Sequence, residues 1–256
     1  MTINVCYVHF RGLSLLHLDA SLFSLSKAIE RHPVRTVHVL DNASGHWPMD
    51  VEAQVRTNLR TVPVSFQSWQ QPDVRRTHSW TVNHLCRDRA HDADWIFFLR
   101  SDYIVAFDVL EQLASLALAV RVTGRKPFVS GWCWQMGIDE ALSNIDAHVD
   151  IERYGWRTST RGLDALQQHP YAHRFHQTQH DAGVWLTRRE YLAAAGWMNE
   201  AMTAWGYQQS TFQRALGRVG VSCDVVPDYL FAHQHHYAER DFVRAQREYQ
   251  QFGGGV

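Results

Sequence analysis

The feature that most constrains this chain is the stretch Trp95-Ile-Phe-Phe-Leu-Arg-Ser-Asp-Tyr-Ile-Val-Ala-Phe107. It opens with an apolar, aromatic-rich run from Trp95 to Leu99. A run this short reads as a strand buried on both faces of a parallel sheet. It then stops on Arg100-Ser101-Asp102. The carboxyl end of a central strand is where an α/β fold places its ligands. The same tripeptide also reads as a capped strand end in which Asp102 makes a turn.

The residues before this stretch alternate between two periods. Val5 to Phe10 reads as a strand. Leu15, Leu18, Leu22, Leu25 and Ile29 follow at helical spacing. Pro33 ends that helix. Thr36 to Leu40 is a second strand, closed by the turn residues Asp41-Asn-Ala-Ser-Gly45. A helix is expected around Val51 to Leu59. Thr61 to Phe66 reads as a marginal third strand, placed toward a sheet edge by Pro63. Ser79 to Ala90 is helical, and the central strand comes next. This β-α-β-α-β-α-β order predicts a parallel sheet with right-handed crossovers.

Beyond a helix over Asp108 to Val122 the pattern loosens. Phe128 to Trp134 and Asp181 to Leu186 read as strands, and Arg188 to Ala195 and Gln208 to Val219 as helices. Val221 to Val226 is a strand, and Tyr229-Leu-Phe-Ala-His-Gln-His-His236 comes next. A last helix carries Phe242, Tyr249 and Phe252. Ile138 to Tyr171 shows little periodicity, and a stretch of that length is functional or disordered. Its tyrosines and tryptophans favour an ordered binding lobe.

The chain has 256 residues, of which 45% are hydrophobic and 20% charged, so it can bury a large core. The formal net charge of −1 leaves no electrostatic footprint for nucleic acid. Of the 25 basic residues only Lys27 and Lys126 are lysines. The remaining guanidinium forks suit bidentate phosphate contacts. Cys6, Cys86, Cys133 and Cys223 form no CxxC, which reads as reduced thiols in a cytoplasmic protein. No signal peptide is recognisable at Met1, and no apolar stretch is long enough for a transmembrane segment.

The order of these parts resembles a nucleotide-sugar glycosyltransferase of the GT-A fold over nearly the whole chain. Its base-binding loop would be His9-Phe-Arg11-Gly12. The acidic turn that contacts the nucleoside would be Asp41-Asn42-Ala-Ser44, and Asn83 would lie near the nucleotide. The Asp-x-Asp motif that ends the central strand stands here as Arg100-Ser101-Asp102. Asp181-Ala-Gly183 and Gly196-Trp-Met-Asn-Glu200 fit the family's small-residue strand and its Gly-Gly-Phe-Asp-Glu-like turn. Trp205-Gly206-Tyr-Gln208-Gln209 resembles its Trp-Gly-Gly-Glu-Asp segment. The fold class implied is α/β: a GT-A-like, Rossmann-like, mostly parallel sheet flanked by helices, with a C-terminal acceptor-side lobe. It would form one domain over 1–256, with a nucleotide-binding half (1–107) and an acceptor-binding half (108–256).

The activity implied is transfer of a sugar, of the hexosyltransferase type, from a nucleotide-sugar donor to an unidentified acceptor. A UDP-sugar is the favoured donor. His9, Arg11, Asp41, Asn83, Arg100, Ser101 and Asp102 would bind it. The diphosphate leaving group gains negative charge as the glycosidic bond breaks, and a hard divalent cation can neutralise it. Asp102, His233 and His235 are the candidate metal ligands. The two histidines are two apart and share a face if extended. Imidazole ligands suit Mn²⁺ better than Mg²⁺. His233 to His236 also reads as a solvated terminal segment. Among the tryptophans after the central strand, Trp132 and Trp205 are assigned to the acceptor.

Two departures bear on mechanism. Arg100 stands where the family has the first Asp, and a guanidinium cannot ligate a metal. It can contact diphosphate oxygens or pair with Asp102. Gln208-Gln209 stands where inverting members carry Glu-Asp, and an amide at Gln209 cannot act as a base near neutral pH. Asp181 and Glu200 are the nearest acidic candidates for catalysis, although Glu200 also reads as an acid at the start of a helix. The alternative is a catalytically silent relative that binds a nucleotide sugar or glycan. A nucleotidyltransferase is disfavoured because no Gly-rich basic loop follows the first strand.

Overall fold

The computed structural model describes residues 1–10, 13–70, 77–136, 173–175, 183–203 and 208–234, together with 247, 250 and 251. Its first strand, β1 (Ile3–Phe10), is buried at every position. Side chains alternate across a strand, so Val5 and Tyr7 enter one core while Cys6 and Val8 enter the other. Helix α1 (Leu15–Arg31) is capped by Ser14 and His17, each side chain bonding the other's backbone N–H. Its buried stripe is Leu18, Leu22, Leu25 and Ile29.

Strand β2 (Thr36–Asn42) follows, then α2 (Pro48–Asn58), opened by a proline whose missing N–H costs a helix start nothing. β3 (Val64–Trp69) begins after Pro63, at the sheet edge. Helix α3 (His78–Asn83), capped by Thr77, continues as a π-helical stretch, His84–Arg89. The central strand β4 (Trp95–Arg100) is wholly buried.

Then come β5 (Tyr103–Val105), α4 (Val109–Val122), β6 (Lys126–Met136) and β7 (His173–Phe175). The chain ends with β8 (Val184–Arg188), α5 (Arg189–Ala194), α6 (Gln208–Arg218) and β9 (Val221–Gln234).

These strands form one nine-stranded sheet in the order β3-β2-β1-β4-β8-β6-β9-β5, with β7 paired to β6. The four strands from β3 to β4 are parallel, as the alternating sequence predicts. The remainder is mixed. β8 runs antiparallel to both β4 and β6, β9 runs parallel to β6, and β5 is antiparallel to β9. The α/β class is therefore as expected, with helices on both sheet faces. Trp95, Phe97 and Leu99 of β4 join the core beneath α1 and α4, while Ile96 and Phe98 join the one beneath α3, α5 and α6.

Several elements differ from the sequence reading, among them β7, which it did not contain. Tyr103–Val105 is a strand in its own right, too short to show a period. β9 runs from Val221 to Gln234, past Val226 where the strand was read to end. Its pairing with β6 shifts register between Gly131 and Trp132, which places the proline in a bulge. The helix ending at Arg89 is α-helical only in its first half. The segment from Ile138 to Tyr171 and the terminal helix with Phe242, Tyr249 and Phe252 lie outside the described residues, apart from the scattered C-terminal positions. None of the four cysteines is in a disulfide, and of the four only Cys223 is exposed. No described helix is long and apolar enough to cross a membrane.

Candidate functional site

The carboxyl ends of β1, β2 and β4 lie side by side, because His9 is in register with Asp41 and Val8 with Arg100. At this edge β4 turns sharply. The Ser101 N–H donates to the Val8 carbonyl at 2.9 Å, and the Arg100 N–H donates to Gly183 at 3.0 Å. The turn buries Arg100, Ser101 and Asp102 together.

A buried carboxylate must be paired and hydrogen-bonded, and Asp102 is both. Arg100 donates from Nε to its Oδ1 at 3.0 Å and from Nη2 to its Oδ2. His233 donates from Nε2 to the same Oδ2 at 2.9 Å. Two aromatic rings bracket the guanidinium, Phe10 at 5.3 Å and Tyr103 at 5.4 Å from its carbon. Tyr103 stacks on His233 with centroids 4.6 Å apart, because β5 and β9 pair these two residues directly. Gly183 makes room for that ring. A Cβ there would lie 2.2 Å from Tyr103 Cε2.

Ser101 Oγ is hydrogen-bonded to His9 Nδ1 at 3.0 Å. His9 stacks on His46 at 5.8 Å, and the His46 Nε2–H donates to the Leu13 carbonyl at 2.8 Å. Burial first, then the neighbouring His46 and His17, push the His9 pKa down to about 3. Its imidazole is therefore neutral.

Asp41 forms a separate network on the adjacent strand end. Its Oδ1 accepts from the Ser44 N–H at 3.2 Å. Its Oδ2 accepts from Ser68 Oγ at 2.8 Å and Gln70 Nε2 at 2.9 Å. It is fully buried.

Asn83 belongs to neither group. Its side chain clamps the turn after α5, donating to the Met198 carbonyl at 2.9 Å and to Glu200 Oε1 at 2.8 Å, and accepting from the Met198 N–H. Arg87 lies 3.5 Å from Glu200. These residues, with Trp197 and Phe212, line a cavity of about 460 Å³. Trp197 has φ 66°, a left-handed conformation rare for a large side chain.

At the start of α6, the buried Gln208 donates to the Met202 carbonyl at 2.7 Å, and Gln209 is half-buried beside it. Trp132 is partly buried against the core.

The fold thus brings together His9, Arg100, Ser101, Asp102 and His233, with Asp41 on the neighbouring strand. Asn83 and Glu200 meet each other elsewhere. Arg11, Asp181, Trp205 and His235 lie outside the described residues. Tyr103 and Gly183 escaped the sequence reading as site residues, since only the pairing of β5 with β9 reveals them.

The residues at the turn can also be tested against the divalent cation that the GT-A resemblance implies. Such an ion needs open oxygen ligands. Here the Arg100 fork covers both Asp102 oxygens, and His233 turns a protonated nitrogen toward one of them. No group of three or more His, Cys, Asp or Glu that could hold a metal ion occurs among the described residues. As arranged, these described residues do not fit the ion.

No protein-family model matches the sequence, and no curated protein matches it. Solved structures do. The fold is similar to that of S. aureus TarS. One TarS crystal structure superposes with a TM-score of 0.57 at 11% identity, covering 92% of this chain and 37% of that one. A second, TarS 1–349 in complex with UDP, gives 0.55 at 12% identity, covering 91% of this chain and 60% of that one. The chain therefore spans less than two thirds of either TarS chain. The likeness establishes the α/β fold, a curled and mostly parallel sheet flanked by helices.

Proposed function

We propose that this chain transfers a sugar from a nucleotide-sugar donor, with UDP as the favoured nucleotide. The observation that carries this reading is the cluster of Arg100, Asp102 and His233 at the carboxyl edge of the parallel strands. That edge is where an α/β sheet binds its ligand. The ordered GT-A-like motifs support it, and so does a fold shared with a protein solved in complex with UDP. In this reading Asp41 and its turn face the base. Arg100 and Arg11 serve the diphosphate, and Ser101 and His9 shape the floor. Asp181 supplies the catalytic carboxylate, since Glu200 is held by Asn83 and Arg87 apart from this cluster, and Trp132 and Trp205 serve the acceptor side.

A second reading, nucleotide-sugar binding without turnover, is favoured by one observation. Gln208, an amide at a position where the family has an acid, is tied into the Met202 backbone.

A thermal-shift screen against UDP, GDP, CDP and TDP tests the shared part of both readings. A ligand that binds only the folded state raises the melting temperature by mass action. No shift with any of the four refutes both. Release of free sugar from a UDP-sugar over time then separates enzyme from binder.

A further inference from the structure

We propose that donor binding at this site is independent of metal, with the Arg100 guanidinium supplying the positive charge that a divalent cation would otherwise bring. The inference rests on the nucleotide-sugar reading above and concerns how that site holds its diphosphate.

Three features of the cluster lead there. Arg100 keeps its charge at every physiological pH, so a second cation placed on Asp102 meets a fixed positive neighbour. The guanidinium is also held in place. Asp102 grips it through both oxygens, and the faces of Phe10 and Tyr103 bracket it. Its removal would take from a fully buried carboxylate the partner that bonds both of its oxygens. Finally, His233 acts on the carboxylate as a hydrogen-bond donor. Its Nε2 is thereby engaged with the same Asp102 oxygen that Arg100 holds.

Arginine is suited to the substituted role. Its planar fork matches the geometry of phosphate oxygens and is weakly hydrated, so burying it against an anion costs less than burying an ammonium. Asp102 and His233 are then positioning residues. They hold the guanidinium at the strand end and do not touch the donor themselves.

The experiment is calorimetric titration of the full chain with UDP, once in EDTA and once in Mn²⁺. The expected result is the same affinity in both. Arg100→Gln should weaken UDP binding by about tenfold or more, equivalent to about 1.4 kcal/mol. Arg100→Lys, which keeps the charge, should recover part of it. Arg100→Asp restores the acidic pair and should make UDP affinity depend on Mn²⁺. Asp102→Asn should weaken binding equally in EDTA and in Mn²⁺, an outcome that distinguishes positioning from metal ligation.

UDP binding by the unaltered chain that requires Mn²⁺ overturns the inference and leaves the donor reading standing. Failure of UDP, GDP, CDP and TDP to bind in either buffer overturns both. A folded Arg100→Gln variant with unchanged UDP affinity overturns the role of Arg100.

Discussion

Gly183→Ala would strike the candidate site from behind. A Cβ at this position lies 2.2 Å from Tyr103 Cε2, 2.6 Å from Cζ and 2.8 Å from the hydroxyl oxygen. Carbon atoms in contact settle about 3.5 Å apart or more, so the ring must retreat by about 1.3 Å. It has little room to do so. Tyr103 is 1% exposed, stacked on His233 and packed beside the Arg100 guanidinium. Overpacking of this kind costs about 1–3 kcal/mol. For a chain of this size each kcal/mol lowers the melting temperature by about 2–4 °C. The expected drop is therefore roughly 2–12 °C, together with weaker UDP binding as His233 and Arg100 are pushed out of place. Calorimetric melting and UDP titration measure the two effects. Tyr103→Leu in the same background opens the space that the new methyl needs. The double-mutant cycle should then show favourable coupling of about 1–3 kcal/mol. Additive effects, or a Gly183→Ala variant that melts like the unaltered chain, would refute the argument.

Asn83→Ala should cost about 2–4 kcal/mol in urea unfolding, because it strips the Met198 N–H and carbonyl of partners and releases Glu200. A loss below about 1 kcal/mol would show that the turn after α5 stands without the clamp. Stability should also fall on acidification. His9 is held neutral, its pKa lowered from 6.5 to about 3, while the unfolded chain takes up a proton below 6.5. Burial lowers the pKa of His38 in the same direction. The stability due to His9 is whole above pH 6.5 and is lost as pH falls toward 3, by at most about 1.4 kcal/mol per pH unit. Urea unfolding at about pH 7, 6 and 5 should give a shallower slope for His9→Gln than for the unaltered chain, and equal slopes would sink this account.

Much of the parallel half was legible because its signals are local. β1 and β4 are buried on both faces and read as continuous apolar runs. α1 shows its stripe and its stop at Pro33. Pro63 correctly placed β3 at an edge, since a residue without an N–H serves an inner ladder poorly. The candidate site was half legible for the same reason. Arg100, Ser101 and Asp102 are contiguous, and their place at a strand end follows from the apolar run before them. His233 was nominated only through a family resemblance, and its partner in the structure is an oxygen already held by Arg100. The β5 segment has three residues, too few for any period to register. The antiparallel insertion of β8 between β4 and β6 is set by tertiary packing, of which the sequence carries no local mark.

The part that no local signal could reveal is also what closes the site. His233 reaches Asp102 across 131 positions of sequence, and it does so through the irregularity in β9. Val226 pairs with Gly131, yet Phe231 pairs with Cys133. β9 therefore spends five steps (226 to 231) where β6 spends two (131 to 133), an excess of three residues. Because side chains alternate with a period of two, an odd excess exchanges the two faces of the strand beyond the bulge. Gly131 permits this by giving Leu230 the space a Cβ would take, at 2.7–2.9 Å. Pro227 sits in the irregular stretch where its missing N–H is harmless. The bulge thus sets the face on which His233 emerges. Deleting one residue from it would turn the imidazole away from Asp102 and leave Arg100 as the only remaining partner among those that the carboxylate is seen to bond.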